Sequence, residues 1–223
     1  MNLPSLADHF QRRFEQTTAA REKALGAARR SIRASANAIR AIHRGELDQA
    51  HGLMDESREA IEGGRAAVRE DHPDVYFAGF LQDAQKEYAE ARLTEAVVTG
   101  SVIPSPEDLR VELPPYLNGM AESIGEGRRA ILDLLRQGHV EESERILSVM
   151  EDMYYLLVSM DFPDAITGHL RRSTDVARSI MERTRGDLSV AQVQRNLQEA
   201  LERHAKLVQR DPPDGDQMRT APR

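Results

Sequence analysis

The chain has 223 residues, 40% apolar and 30% charged, with 4% aromatic residues and neither cysteine nor tryptophan. Without cysteine there are no disulfides, zinc–thiolate sites or cysteine nucleophiles, and no run approaches the ~18 uncharged apolar residues that cross a bilayer. A net charge of −7 argues against a surface coated for nucleic acid, and the N-terminal MNLPSLADHFQRRF lacks the apolar core of a signal peptide, so a soluble, cytoplasmic protein is expected.

Glycine and proline divide the chain into helices. Ser5 with Asp8 opens a long first helix that runs unbroken by proline to Arg44, before Gly45. A second spans about 47–70 and ends near His72-Pro73, and a third covers 74–99 and stops at Gly100. Residues 101–115 hold four of the ten prolines and read as a loop with a short helical turn at most. A fourth helix covers 116–137, a fifth 140–160 and a sixth 164–185, closed by Gly186. Ser189 and Gln192 form a capping-box pattern that opens a seventh helix to about 209. Residues 210–223 read as a disordered tail behind a helical domain of residues 1–209. Nothing reads as a strand, so the fold class predicted is an all-α bundle of about seven helices with a long first helix.

Charge is unevenly spread. Residues 1–44 hold nine Arg or Lys against three acids, a net +6, which leaves −13 on the remainder. A basic strip on an acidic body points to a directed anion site. In the first helix Leu25, Ala28, Ile32, Ala36, Ile39 and His43 recur at threes and fours as one buried stripe. Arg29, Arg33, Arg40 and Arg44 follow steps of four, seven and four and form a second stripe beside it. Two readings stand: the arginines line a groove that takes a polyanion, or they snorkel and pair with nearby acids.

Carboxylates recur on two helices. Asp83, Glu87 and Glu90 share one face of the third, bordering an apolar side of Phe77, Phe80, Leu81, Ala84, Tyr88 and Ala91. Glu122 and Glu126 stand four apart on the fourth, with Arg129 and Asp133 continuing the row. Stacked like charges near a packed seam call for a cation, either Mg²⁺ or Mn²⁺ with its preference for oxygen or a neighbouring arginine; a solvated acidic face is the other reading. No Glu-x-x-His pair occurs, so a ferritin-like di-iron site is excluded, and the chain has no Walker loop, G-x-S-x-G or G-x-G-x-x-G.

Three blocks, REKALGAARRSIRASANAIRAIHRGE (21–46), LQDAQKEYAEARLTEAVVTG (81–100) and YLNGMAESIGEGRRAILDLLRQ onward (116–188), together resemble the translin family. That family includes translin, its partner translin-associated factor X (Trax) and shorter archaeal members. The Trax branch carries an E-Y-x-E-A element, matched here by Glu87-Tyr88-Ala89-Glu90-Ala91, and a Y-L-x-G-x-A-D-x-x-G-E element. Here the second element runs from Tyr116 to Glu126 and has Glu122 at the aspartate position. The resemblance implies catalytic Glu87, Glu90 and Glu122 that, with Glu126, hold Mg²⁺ or Mn²⁺. It also implies RNA on the first helix, near Arg29, Arg33, Arg40 and Arg44, inside a homo-oligomeric, roughly octameric shell. Arg171, Arg172, Arg178 and Arg183, in the block from Asp161 to Leu188, are expected to hold helices or subunits together. The function implied is a metal-dependent endoribonuclease acting on single-stranded RNA. The alternative is a non-catalytic, translin-like protein that binds single-stranded RNA or DNA.

Overall fold

The computed structural model describes residues 2–210, and among them every regular element is a helix. The elements are α1 (Leu3–His43), α2 (Leu47–Val68), α3 (Pro73–Tyr76), α4 (Phe80–Thr99), α5 (Pro106–Leu109), α6 (Leu113–Arg136), α7 (Val140–Ser159), α8 (Asp164–Thr167) and α9 (Leu170–Arg210). No helix is long and apolar enough to cross a membrane among the described residues.

α4 lies at the centre of the bundle. It packs on α1 and α2 on one side and on α6 on the other, and α6 in turn carries α7 and α9. Its sequence suits that place, because Leu81, Ala84, Ala89, Ala91, Leu93 and Val97 are all fully shielded from solvent. α1 meets its neighbours through small residues: Ala24, Ala27, Ala28, Ala38 and Ala41 are buried, and the hydroxyls of Ser31 and Ser35 hydrogen-bond to Ser57 of α2 at 2.7 and 2.8 Å. The buried arc of α1 is therefore broader than the single stripe expected. α6 contributes Ile124 and Ile131, each fully buried, and truncating either to alanine costs about 2–5 kcal/mol.

Three boundaries differ from expectation. The third helix is broken at Phe77–Gly79, because Gly79 adopts φ +102°, a conformation that only glycine takes without strain, and α4 starts after it. α6 begins at Leu113 rather than 116, since Pro114 and Pro115 sit in its first turn, where a missing N–H costs nothing. The expected sixth and seventh helices form one, α9, that runs through Gly186, preceded by the short α8 and by Gly168 and His169 with positive φ. Ser189 does not cap; its hydroxyl donates to the Arg185 carbonyl at 2.8 Å within the helix. The buried row Leu170, Thr174, Ala177, Met181, Thr184 and Leu188 continues past Gly186. Packing on α6 and α7 outweighs the ~1 kcal/mol that an interior glycine costs. The tail expected at 210–223 lies outside the described residues beyond Arg210.

Candidate metal centre and nucleic-acid interface

The α4–α6 seam is fixed first at the N-terminus of α6. The buried Gln85 side chain accepts the Glu112 backbone N–H at 2.9 Å, and the Tyr76 hydroxyl donates to the Glu112 carboxylate. Two turns along, Gly119 crosses α4: a Cβ there would stand 2.7 Å from the Lys86 carbonyl and 3.0 Å from the Glu90 nitrogen. The close approach requires glycine. Three residues later, on the same face of α6, Glu122 meets Glu87 and Glu90.

Glu87, Glu90 and Glu122 each offer one carboxylate oxygen, and the three oxygens lie within 4.8 Å of one another, all partly buried. The Lys86 ammonium donates to Glu122 at 2.7 Å and stands 3.2 Å from Glu87. Burial works to lower the Lys86 pKa, but the hydrogen bond to Glu122 and the charges of Glu122 and Glu87 outweigh it and leave it raised. Glu90 has no ion-pair partner among the described residues, and burial, followed by the charges of Glu122, Glu87 and Glu126, pushes it up to about 8. A half-buried group of three carboxylates with one lysine holds more negative charge than it offsets. Three converging carboxylate oxygens are the donor set that Mg²⁺ and Mn²⁺ prefer, so the residues present fit a divalent ion.

Three acids of the expected rows stand apart. Glu126, one turn beyond Glu122, accepts a hydrogen bond from His43 Nε2 at 2.6 Å, and that bond holds it below the ordinary carboxylate range. His43 comes from the end of α1, so α1, α4 and α6 all meet at this place. Asp83 is exposed and outside the group, and Asp133 pairs with Arg136 at 3.3 Å.

Arg29, Arg33, Arg40 and Arg44 are all exposed along one side of α1. Arg40 donates to Asn37 and Arg44 to Glu46, whereas Arg29 and Arg33 have no acidic partner among the described residues. By helical rotation the row flanks the edge that carries His43. Of the later arginines, Arg178 donates to the Tyr154 hydroxyl at 2.8 Å and ties α9 to α7, and Arg171 lies 3.3 Å from Asp161.

Lys86, His43 and Gly119 escape the sequence reading. Lys86 had a signal, as one of three lysines in the chain and the neighbour of Glu87. His43 was visible only as a member of the apolar stripe. Phe77, read there as part of an apolar helix face, is 71% exposed, because the chain breaks at Gly79 and turns the ring out of the seam.

No protein-family model matches the chain. An uncharacterized protein of Methanocaldococcus jannaschii is 33% identical over 191 residues, which cover 85% of this chain and 82% of that protein. The crystal structure of AfC3PO aligns with TM-score 0.77 and 34% identity, over 85% of this chain and 98% of AfC3PO. The chain belongs to the translin/C3PO family. AfC3PO in complex with duplex RNA gives TM-score 0.76 at 32% identity over 85% of this chain and 97% of that one. The family fold extends to apo-NeC3PO, with TM-score 0.71 and 21% identity over the same share of this chain.

Proposed function

We propose that this protein is a metal-dependent endoribonuclease that cleaves single-stranded RNA within a homo-oligomer. The observation that carries the reading is the convergence of Glu87, Glu90 and Glu122 within 4.8 Å. These three residues would hold one or two Mg²⁺ or Mn²⁺ ions, with Glu126, fixed by His43, adding negative potential one turn away. A bound ion supplies Lewis-acid polarisation of the scissile phosphate and a water of lowered pKa. Lys86 offsets Glu87 and Glu122 when they face no other cation, and its ammonium is free to take a phosphate oxygen once they turn elsewhere. Arg29, Arg33, Arg40 and Arg44 attract the strand along α1, so binding weakens as salt rises.

Assembly is supported by two arms whose apolar residues lie exposed among the described residues. Leu3, Phe10 and Phe14 on α1, and Val190, Val193, Leu197 and Leu201 on α9, are exposed large apolar residues at helical spacing. The α1 arm adjoins His72 through Thr17, and the α9 arm adjoins Glu141 through Arg195, so the arms leave the bundle at opposite ends of α6. Second copies of the chain are the covering expected for such surfaces, and an octamer is the assembly the family resemblance implies.

The second reading is a non-catalytic module that binds single-stranded RNA or DNA. The Lys86 bridge between Glu87 and Glu122 favours it, because those acids already have a structural use. Cleavage of an end-labelled single-stranded RNA, in Mg²⁺ and in EDTA, separates the two when wild type is set beside Glu87→Gln. The nuclease reading expects activity that needs the metal and falls on the order of a hundredfold or more in Glu87→Gln, with gel-shift affinity in EDTA retained. Binding without cleavage in either Mg²⁺ or Mn²⁺ would establish the second reading.

A further inference from the structure

A groove of 540 Å³ opens directly beside the carboxylates; Glu122 belongs to both, and Lys86, which bridges Glu122 and Glu87, lines it. Its apolar lining includes Pro114, Pro115 and Ala165 beside Phe77 and Ile166, which are 71% and 63% exposed; its polar edge includes Asp83 and Glu112. Phe77 is held in place, since its ring packs edge-on to Tyr76 at 4.8 Å and 86°, and Tyr76 is buried and hydrogen-bonded to Glu112. The break at Gly79 is what puts the ring at the groove rather than in the α4 seam.

The wall chemistry decides what the groove takes. Asp83, Glu112 and Glu122 face one lysine and no arginine, so a phosphate is repelled. A nucleobase is not: its flat face stacks on an aromatic ring, and its amino hydrogens are donors for carboxylates. We propose that this groove receives one unpaired nucleobase next to the scissile phosphate, stacked on Phe77 and read by the acidic edge. It therefore favours the amino-bearing bases adenine, cytosine and guanine over uracil. The inference rests on the nuclease reading, and it adds a reason for single strands, because a base held in a duplex cannot stack on Phe77.

Two measurements test it. The first is 2-aminopurine fluorescence in a single-stranded RNA titrated with protein in EDTA, where no cleavage occurs. Wild type and Phe77→Trp should quench the probe; Phe77→Ala should not, and its affinity should fall roughly 5- to 150-fold, the span of base–aromatic stacking. The second walks one abasic nucleotide along a cleavable strand. Wild type should lose cleavage when the abasic nucleotide sits at one fixed place relative to the scissile bond, and Phe77→Ala should show no such dip. Equal quenching by Phe77→Ala, or full cleavage wherever the abasic nucleotide is placed, overturns the base site and leaves the nuclease standing. A smaller particle mass for Phe77→Ala in light scattering overturns it as well, since the ring would then be a subunit contact. Absence of cleavage by wild type with quenching intact sinks the nuclease reading instead.

Discussion

The acids of α4 and α6 and the arginines of α1 are both rows of like charge at three- and four-residue spacing, yet they end in opposite surroundings. Glu87, Glu90 and Glu122 are drawn from two helices into a half-buried group, and Lys86 is the cation that touches it. Arg29 and Arg33 stand exposed on a single helix, with no helix packed over them among the described residues. The difference lies in what each row meets. A row facing another helix becomes a site whose properties depend on fractions of an ångström. A row facing water becomes a field whose strength depends on how many charges it has.

The strongest way to break that contrast is to push α4 and α6 apart. Alanine at Gly119 places a methyl group 2.7 Å from the Lys86 carbonyl, an atom of a helix backbone that cannot swing aside. Overpacking of this kind costs about 1–3 kcal/mol, against roughly 1 kcal/mol returned by better helix propensity. Gly119→Leu should cost more than Gly119→Ala, seen as ordered falls in the urea midpoint. Mn²⁺ affinity by calorimetry should fall further than stability does, while RNA binding in EDTA should change little. Unchanged stability and Mn²⁺ binding in Gly119→Ala would show that the seam does not set the carboxylate geometry.

A milder change tests the charge excess itself. Glu90 sits at about 8 when folded, against an ordinary carboxyl value of 4.5, first because it is buried and then because of its acidic neighbours. The folded protein thus binds more protons here than the unfolded chain across that window, so the contribution of Glu90 to stability falls as pH rises from about 4.5 to 8. Glu90→Gln removes the burden. Its Tm in EDTA should match wild type near pH 4.5 and exceed it at pH 8. Added Mg²⁺ should raise the wild-type Tm and raise that of the variant less. A variant less stable than wild type at pH 8 would mean that the Glu90 carboxylate is needed for packing.

Much of the framework is legible in the sequence, and the failures have local causes. α2 and α7 follow directly from their glycine and proline boundaries. α9 does not, because Gly186 is an ordinary stop signal that the buried row from Leu170 to Leu188 overrides. The carboxylates are legible as rows, since helical spacing alone aligns them on each helix. That the two rows meet does not follow from spacing and enters only through the family resemblance, because it depends on Gly119, one helical glycine among several, and on how closely α6 lies against α4. Lys86 and His43 become site neighbours by the same crossing, and Phe77 leaves the apolar face only because the chain breaks at Gly79.

The arginine row should answer to substitution in the other way, by count rather than by place. Each phosphate contact on a single strand contributes roughly 0.7 to the slope of log affinity against log salt. Arg29→Ser with Arg33→Ser removes the two guanidinium groups of the row that no side chain holds among the described residues, so the slope should shrink by about 1.4. Affinity should fall alike for every sequence tested, because phosphate contacts carry no base information. Arg40→Ser with Arg44→Ser should have a smaller effect, since Asn37 and Glu46 already hold those side chains. Glu87→Gln, measured in EDTA, should leave the slope where it was. A salt slope that responds to Glu87 but not to Arg29 and Arg33 would place the polyanion at the seam and not along α1, and the two regions would then be one.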